Sequence, residues 1–142
     1  VILMLNTRLK KIIFFSIITV VLVAGIVITT VALNNYKFSQ SYADRINNAY
    51  NSGDPFTYNE LMKKYGTPYS KEITGTPSDA SGYVEWYKGY EEGDDKEIVK
   101  DYRAGKDIKS MYVEFLNGEA VLAEFYCMNI NTDEPVDDPT LK

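Results

Sequence analysis

The chain has 142 residues, with 15 Lys and Arg against 20 Asp and Glu, a formal net charge of −5, no histidine and one cysteine. This balance has the wrong sign for a nucleic-acid binder, which needs a basic stripe to neutralise phosphates. Without histidine the commonest general base and metal ligand is missing, and one cysteine excludes an internal disulfide or a thiolate zinc cluster.

Charge is unevenly placed along the chain. Residues 1–11 hold Arg8, Lys10 and Lys11 and no acid, and they read as a cytoplasmic basic tail. Residues 12–33, IIFFSIITVVLVAGIVITTVAL, carry no charged side chain. At 1.5 Å per residue such a helix is about 33 Å long, enough to cross a hydrocarbon core of about 30 Å. Ser16, Thr19, Thr29 and Thr30 are tolerable there because a helix lets hydroxyls bond back to its own carbonyls. The basic flank predicts a cytoplasmic N-terminus and an extracytoplasmic C-terminal part in the cell membrane. The alternative is a secretory signal cleaved after Thr30-Val31-Ala32, although the apolar run exceeds the usual signal length.

In residues 34–54, Phe38, Tyr42, Ile46, Ala49 and Tyr50 recur at helical spacing up to Gly53-Asp54-Pro55. This predicts a juxtamembrane helix, either a stalk or a first packed helix. Residues 55–128 read as an extracytoplasmic α+β domain. Thr57 and Glu60 form a capping box, Phe56 and Leu61 are placed as a hydrophobic staple, and Gly66 with Pro68 ends the helix Tyr58–Tyr65. A short strand is expected near Ile73, and GYVEWYKGY predicts a strand over Tyr83–Tyr90. Its alternation puts Tyr83, Glu85 and Tyr87 on one face and Val84, Trp86 and Lys88 on the other. The acidic stretch Glu91–Glu97 reads as an exposed loop. Its carboxylates lack EF-hand spacing, so a solvated loop is expected rather than a Ca²⁺ site. Residues 98–103 read as a strand, with a short helix as the alternative.

MYVEFLNGEAVLAEFY, Met111–Tyr126, predicts a β-hairpin at Asn117-Gly118. A two-residue type I′ turn mixes polar and apolar residues on both faces. A three-residue loop, Leu116-Asn117-Gly118, instead gathers Met111, Val113, Phe115, Val121, Ala123, Phe125 and Cys127 on one apolar face. Burial of large apolar side chains at about 1.5–3 kcal/mol each favours this second register. Cys127 is then expected to be a buried hydrophobe. The opposite face holds Tyr112, Glu114, Ala120, Leu122, Glu124 and Tyr126. Residues 129–142 are rich in Asp, Pro, Asn and Thr and predict a disordered acidic tail.

The expected architecture is therefore an N-terminal transmembrane helix, then one or two short helices on one face of a three- to four-stranded antiparallel sheet. The open face presents Tyr83, Glu85, Tyr87, Tyr112, Glu114, Leu122, Glu124 and Tyr126. Tyrosine interleaved with glutamate suits protein contact.

The capped helix ending Tyr65-Gly66-Thr67-Pro68, the Trp86-x-aromatic strand and the F-x-N-G-x-x-V hairpin Phe115–Val121 together resemble the β-lactamase-inhibitor-protein-like fold shared with the SmpA/OmlA small envelope lipoproteins. The resemblance covers about residues 56–128. It implies helices on one face of an antiparallel sheet and a protein-binding or assembly role, with another envelope protein as partner. This chain departs from the family in having no lipobox and a long Glu91–Asp107 insertion.

No nucleophile-elbow, Walker A, zincin or dinucleotide signature occurs in the chain. No catalytic residue, metal ligand or cofactor is assigned. The expected function is a single-pass, membrane-anchored interaction module rather than an enzyme. The alternative is a small envelope hydrolase or cell-wall-binding protein acting through carboxylates such as Glu114 and Glu124.

Overall fold

The structure, a computed structural model, describes residues 7–132. The greater part of the tail expected at 129–142 lies outside them. The chain divides into two units, Val1–Tyr36 and Lys37–Lys142.

The first unit is the helix α1, Thr7–Tyr36. Its stretch Leu9–Thr29 is long and apolar enough to cross a membrane. As expected, two hydroxyls bond back one turn, Thr19 Oγ1 to the Phe15 carbonyl at 2.9 Å and Thr29 Oγ1 to that of Gly25 at 2.8 Å.

The second unit is α+β. Helices α2 (Gln40–Asn51) and α3 (Tyr58–Tyr65) are followed by β1 (Ser70–Thr74) and β2 (Ser81–Tyr87). Helix α4 (Asp95–Arg103) precedes β3 (Ile108–Leu116) and β4 (Glu119–Met128). The strands form one antiparallel meander in the order β1-β2-β3-β4.

Of the two expectations for residues 34–54, a packed helix is observed rather than a stalk. Tyr42, Ala43 and Ile46 of α2 are buried in the same core as Leu61 and Tyr65 of α3. Helix α3 has the expected capping box. The Glu60 amide donates to Thr57 Oγ1 at 3.2 Å, and the Thr57 amide donates to Glu60 Oε2 at 2.8 Å.

The sheet side of the core comprises Val84 and Trp86 of β2, Met111, Val113 and Phe115 of β3, and Ala120 and Ala123 of β4. Trp86 is its centre. Its indole N–H donates to the Gly66 carbonyl at 3.0 Å, and its ring stacks on Tyr65 with centroids 4.6 Å apart. A buried indole that finds both a ring and an acceptor contributes apolar area at no cost in unpaired polarity.

The hairpin departs from expectation at its turn. Asn117 (φ 51°) and Gly118 (φ 80°) both adopt left-handed backbone, the geometry of a two-residue type I′ turn, so the three-residue loop is not formed. Leu116 pairs with Glu119 and Phe115 with Ala120, then the register slips so that Glu114 pairs with Leu122. Val121 is thus the extra residue of a β-bulge. The bulge satisfies both signals at once: Asn-Gly keeps its preferred turn, and Ala123 and Phe125 still fall on the side of Met111 and Val113. It also turns Ala120 inward, where it is fully buried, although the sequence places it on the tyrosine face.

The hairpin tip is held on two sides. The Gly118 amide donates to the Ala80 carbonyl at 2.8 Å, while the Gly118 carbonyl accepts from the Tyr58 amide at 2.8 Å. A Cβ at Gly118 would lie 2.4 Å from the Ser78 carbonyl oxygen, so only glycine fits this approach.

Two other elements differ from expectation. Strand β2 ends at Tyr87 rather than Tyr90, because Gly89 (φ 85°) turns the chain. Residues 95–103 form a helix, not a strand. Asp95 and Glu97 in its first turn and Lys100 and Arg103 in its last complement the helix dipole.

Candidate functional site

The face of the sheet opposite α2 and α3 carries all eight residues singled out in the sequence. Strand alternation puts Tyr83, Glu85 and Tyr87 outward on β2, since Val84 and Trp86 are buried inward. Tyr112 and Glu114 alternate likewise on β3, and beyond the bulge Leu122, Glu124 and Tyr126 do so on β4.

Antiparallel pairing arranges them in rows. Tyr83 lies opposite Glu114, and Glu114 opposite Leu122. Glu85 lies opposite Tyr112, and Tyr112 opposite Glu124. Tyr87 and Tyr126 flank Ser110. Glu72 of β1 extends the first row beside Tyr83. The result is a checkerboard in which tyrosine and glutamate face each other across strands.

Hydroxyls and carboxylates are joined along the strands as well. Tyr112 donates to Glu114 at 3.0 Å, and Tyr126 donates to Glu124. Tyr87 and Ser110 both donate to Glu85. The rings of Tyr83 and Tyr112 stack at 5.5 Å, and Tyr69 meets Tyr87 edge-on at 4.6 Å.

These contacts shape the titration of the face. Burial holds the Glu85 carboxyl above its ordinary pKa, and its bonds from Tyr87 and Ser110 oppose the shift without cancelling it. The Tyr112 phenol is pushed up to about 12, first by burial and then by its bond to Glu114. Tyr126 is raised chiefly by its bond to Glu124. The phenols of Tyr112 and Tyr126 therefore remain protonated donors across the physiological range.

One end of the face is covered by α4, which contacts β3. The Tyr69 hydroxyl reaches Asp95 of this helix, and the Tyr90 hydroxyl reaches Asp101 at 2.6 Å. Ile108 and Ser110, which share the parity of Tyr112, are buried there. The β4 edge of the face is open, with Leu122 at 37% and Tyr126 at 47% exposure.

No family model matches the chain, and neither the curated proteins nor the solved structures compared with it give a match, so no catalytic family is connected to it.

The remaining expectations can be placed on this geometry. Cys127, expected to be buried, is exposed. Parity directs it to the core side, but it lies near the end of β4, beyond the reach of the helices that bury Ala123. Among the described residues, no three His, Cys, Asp or Glu side chains are grouped as a metal site. The acidic stretch instead builds a helix start: the Glu91 amide donates to Asp94 Oδ2 at 2.8 Å, and Glu97 pairs with Lys100 at 3.7 Å. Ser110 and Glu72 were not legible as members of the face. A lone serine in a strand carries no signal, and the limits of β1 were too vague to fix its parity.

Proposed function

We propose that this chain is a single-pass, membrane-anchored module that binds another envelope protein outside the cytoplasm through its tyrosine–glutamate face. The observation that carries the reading is the checkerboard itself. Tyr83, Glu85, Tyr87, Tyr112, Glu114, Leu122, Glu124 and Tyr126 share one face, and Leu122 and Tyr126 stand exposed along its β4 edge. Tyrosine supplies large, stiff contact area at low entropic cost, and its enrichment at interfaces follows from that. The apolar stretch of α1 and the basic Arg8, Lys10 and Lys11 at its start support the anchor and its orientation. The resemblance to the β-lactamase-inhibitor-protein-like and SmpA/OmlA group implies the same use of the sheet. Glu72, Glu85, Glu114 and Glu124 lie on this face of the strands, so a partner presenting Lys or Arg fits it best.

A photo-crosslinking side chain at position 126 or 122 of the full chain, in its native membrane, tests the reading. One discrete protein adduct is expected from either position and none from position 96 on α4. Leu122→Glu should abolish the adduct formed from position 126 while leaving the thermal unfolding temperature unchanged. Identical adducts from 96 and 126, or none from 126 and 122, would overturn the proposal.

A further inference from the structure

The domain that begins at Lys37 carries all 20 acidic residues of the chain and 12 of its 15 basic ones. Four of those bases nevertheless converge on the α2–α3 surface. Lys64 Nζ lies 4.8 Å from the centre of the Tyr42 ring, and the Arg45 guanidinium lies 5.8 Å from Tyr42 and 5.7 Å from Phe56. Lys37 Nζ sits 5.5 Å from the Tyr65 ring and 5.8 Å from Phe38, and it donates to the Lys64 carbonyl at 3.0 Å. Lys63 lines the same shallow depression as Lys64, Tyr42 and Phe56.

Among the described residues none of these four forms an ion pair; the two salt bridges join Lys100 to Glu97 and Lys106 to Asp101. Glu60 lines the same depression but is held by the Thr57 cap, Asp44 accepts from Gln40, and Asp54 lines a hollow with Arg45 without an ion pair. Lys37, Arg45 and Lys64 therefore rest on aromatic rings with Lys63 beside them, their stems over apolar surface and their heads available to an anion.

We propose that Lys37, Arg45, Lys63 and Lys64 form a docking patch for the anionic phospholipid headgroups of the bilayer that α1 enters. This rests on the membrane-anchored reading above. Covalent continuity selects the occupant: Lys37 is the residue immediately after α1, and only three residues separate α1 from α2. The apolar stretch of α1 ends at Thr29, and the eight residues from there to Lys37 rise about 12 Å along the chain, so the start of the patch stays near the surface that the stretch enters. Charge sign agrees, because an acidic domain approaches an anionic surface only by presenting its basic side. The Lys37 ammonium points the same way: burial, and then the neighbouring Lys64, lower its pKa, and an anionic neighbour offsets both.

The test is residue-resolved amine acylation of the full chain reconstituted in vesicles, read by mass spectrometry. With phosphatidylglycerol mixed into phosphatidylcholine, Lys37, Lys63 and Lys64 should react about fivefold more slowly than in pure phosphatidylcholine, the factor equivalent to about one basic contact each. Lys96 and Lys100 on α4 should not change. The protection should vanish in high salt. Lys63→Gln with Lys64→Gln should remove the protection of Lys37, whereas Lys96→Gln with Lys100→Gln should retain it, both proteins keeping the wild-type circular dichroism. Equal rates in the two lipids would overturn the docking patch alone. Protection by inorganic phosphate in pure phosphatidylcholine would overturn it in favour of a soluble anion. Release of the chain from the vesicles by alkaline carbonate would overturn the patch and the anchor together.

Discussion

Glu85 shows how a single side chain can matter more to pH dependence than to architecture. It stands between Tyr87 and Tyr112, accepts from Tyr87 and Ser110, and is still left with a raised pKa by burial. A carboxyl whose folded pKa exceeds the unfolded one binds a proton more readily in the native state. Its stabilising effect is complete below the ordinary pKa of 4.5 and is lost as the pH rises through the raised value. Glu85→Gln should accordingly raise the thermal unfolding temperature at pH 7, with the gain shrinking to nothing below pH 4.5. Scanning calorimetry of the two proteins across that window checks it, and an unchanged difference at all pH values would refute the assignment. The contrast with Cys127 is instructive at the same scale. Residue type and parity both argued for burial, but parity fixes only direction, and exposure depends on how far the covering helices extend.

At the scale of elements, Asn47 of α2 does a job usually left to a neighbouring strand. Its Nδ2 donates to the Ala123 carbonyl at 2.9 Å, and its Oδ1 accepts the Ala123 amide at 2.8 Å. The free edge of β4 is thereby capped at its middle by a side chain, which blocks pairing with a second chain there. Asn47→Ala should cost about 1–3 kcal/mol, the penalty of stranding two backbone groups, and should raise the tendency to aggregate. Urea unfolding with light scattering would measure both. No sequence signal announces this clamp, because it joins residues 76 apart. What was legible was local. The α3 cap and stop are written within ten residues, and the β2 alternation within seven. The Tyr58–Tyr65 helix and the β2 members of the face, Tyr83, Glu85 and Tyr87, follow directly from them. Residues 98–103, expected as a strand with a short helix as the alternative, belong to a helix: Ile98 and Val99 fit either period, and charge at both helix ends decides. The hairpin was half legible: burial chose the faces, but a bulge as the means of reaching them competes with a longer loop on equal terms in sequence.

For the whole molecule, the core among the described residues draws its members from residues 38 to 125. A fragment from Lys37 to Lys142 should fold alone and unfold at the same temperature as the full chain in detergent, with Trp86 fluorescence as the probe; a lower midpoint would show that α1 supports the domain. The same core imposes an order in time. Tyr42, Ala43 and Ile46 are made early, yet the strand that covers them and supplies Ala123 to Asn47 is made last. During synthesis the greasy side of α2 must stay uncovered while more than seventy further residues emerge. On the membrane-anchored reading proposed above, that interval is spent beside the bilayer with the uncovered face open to wrong partners.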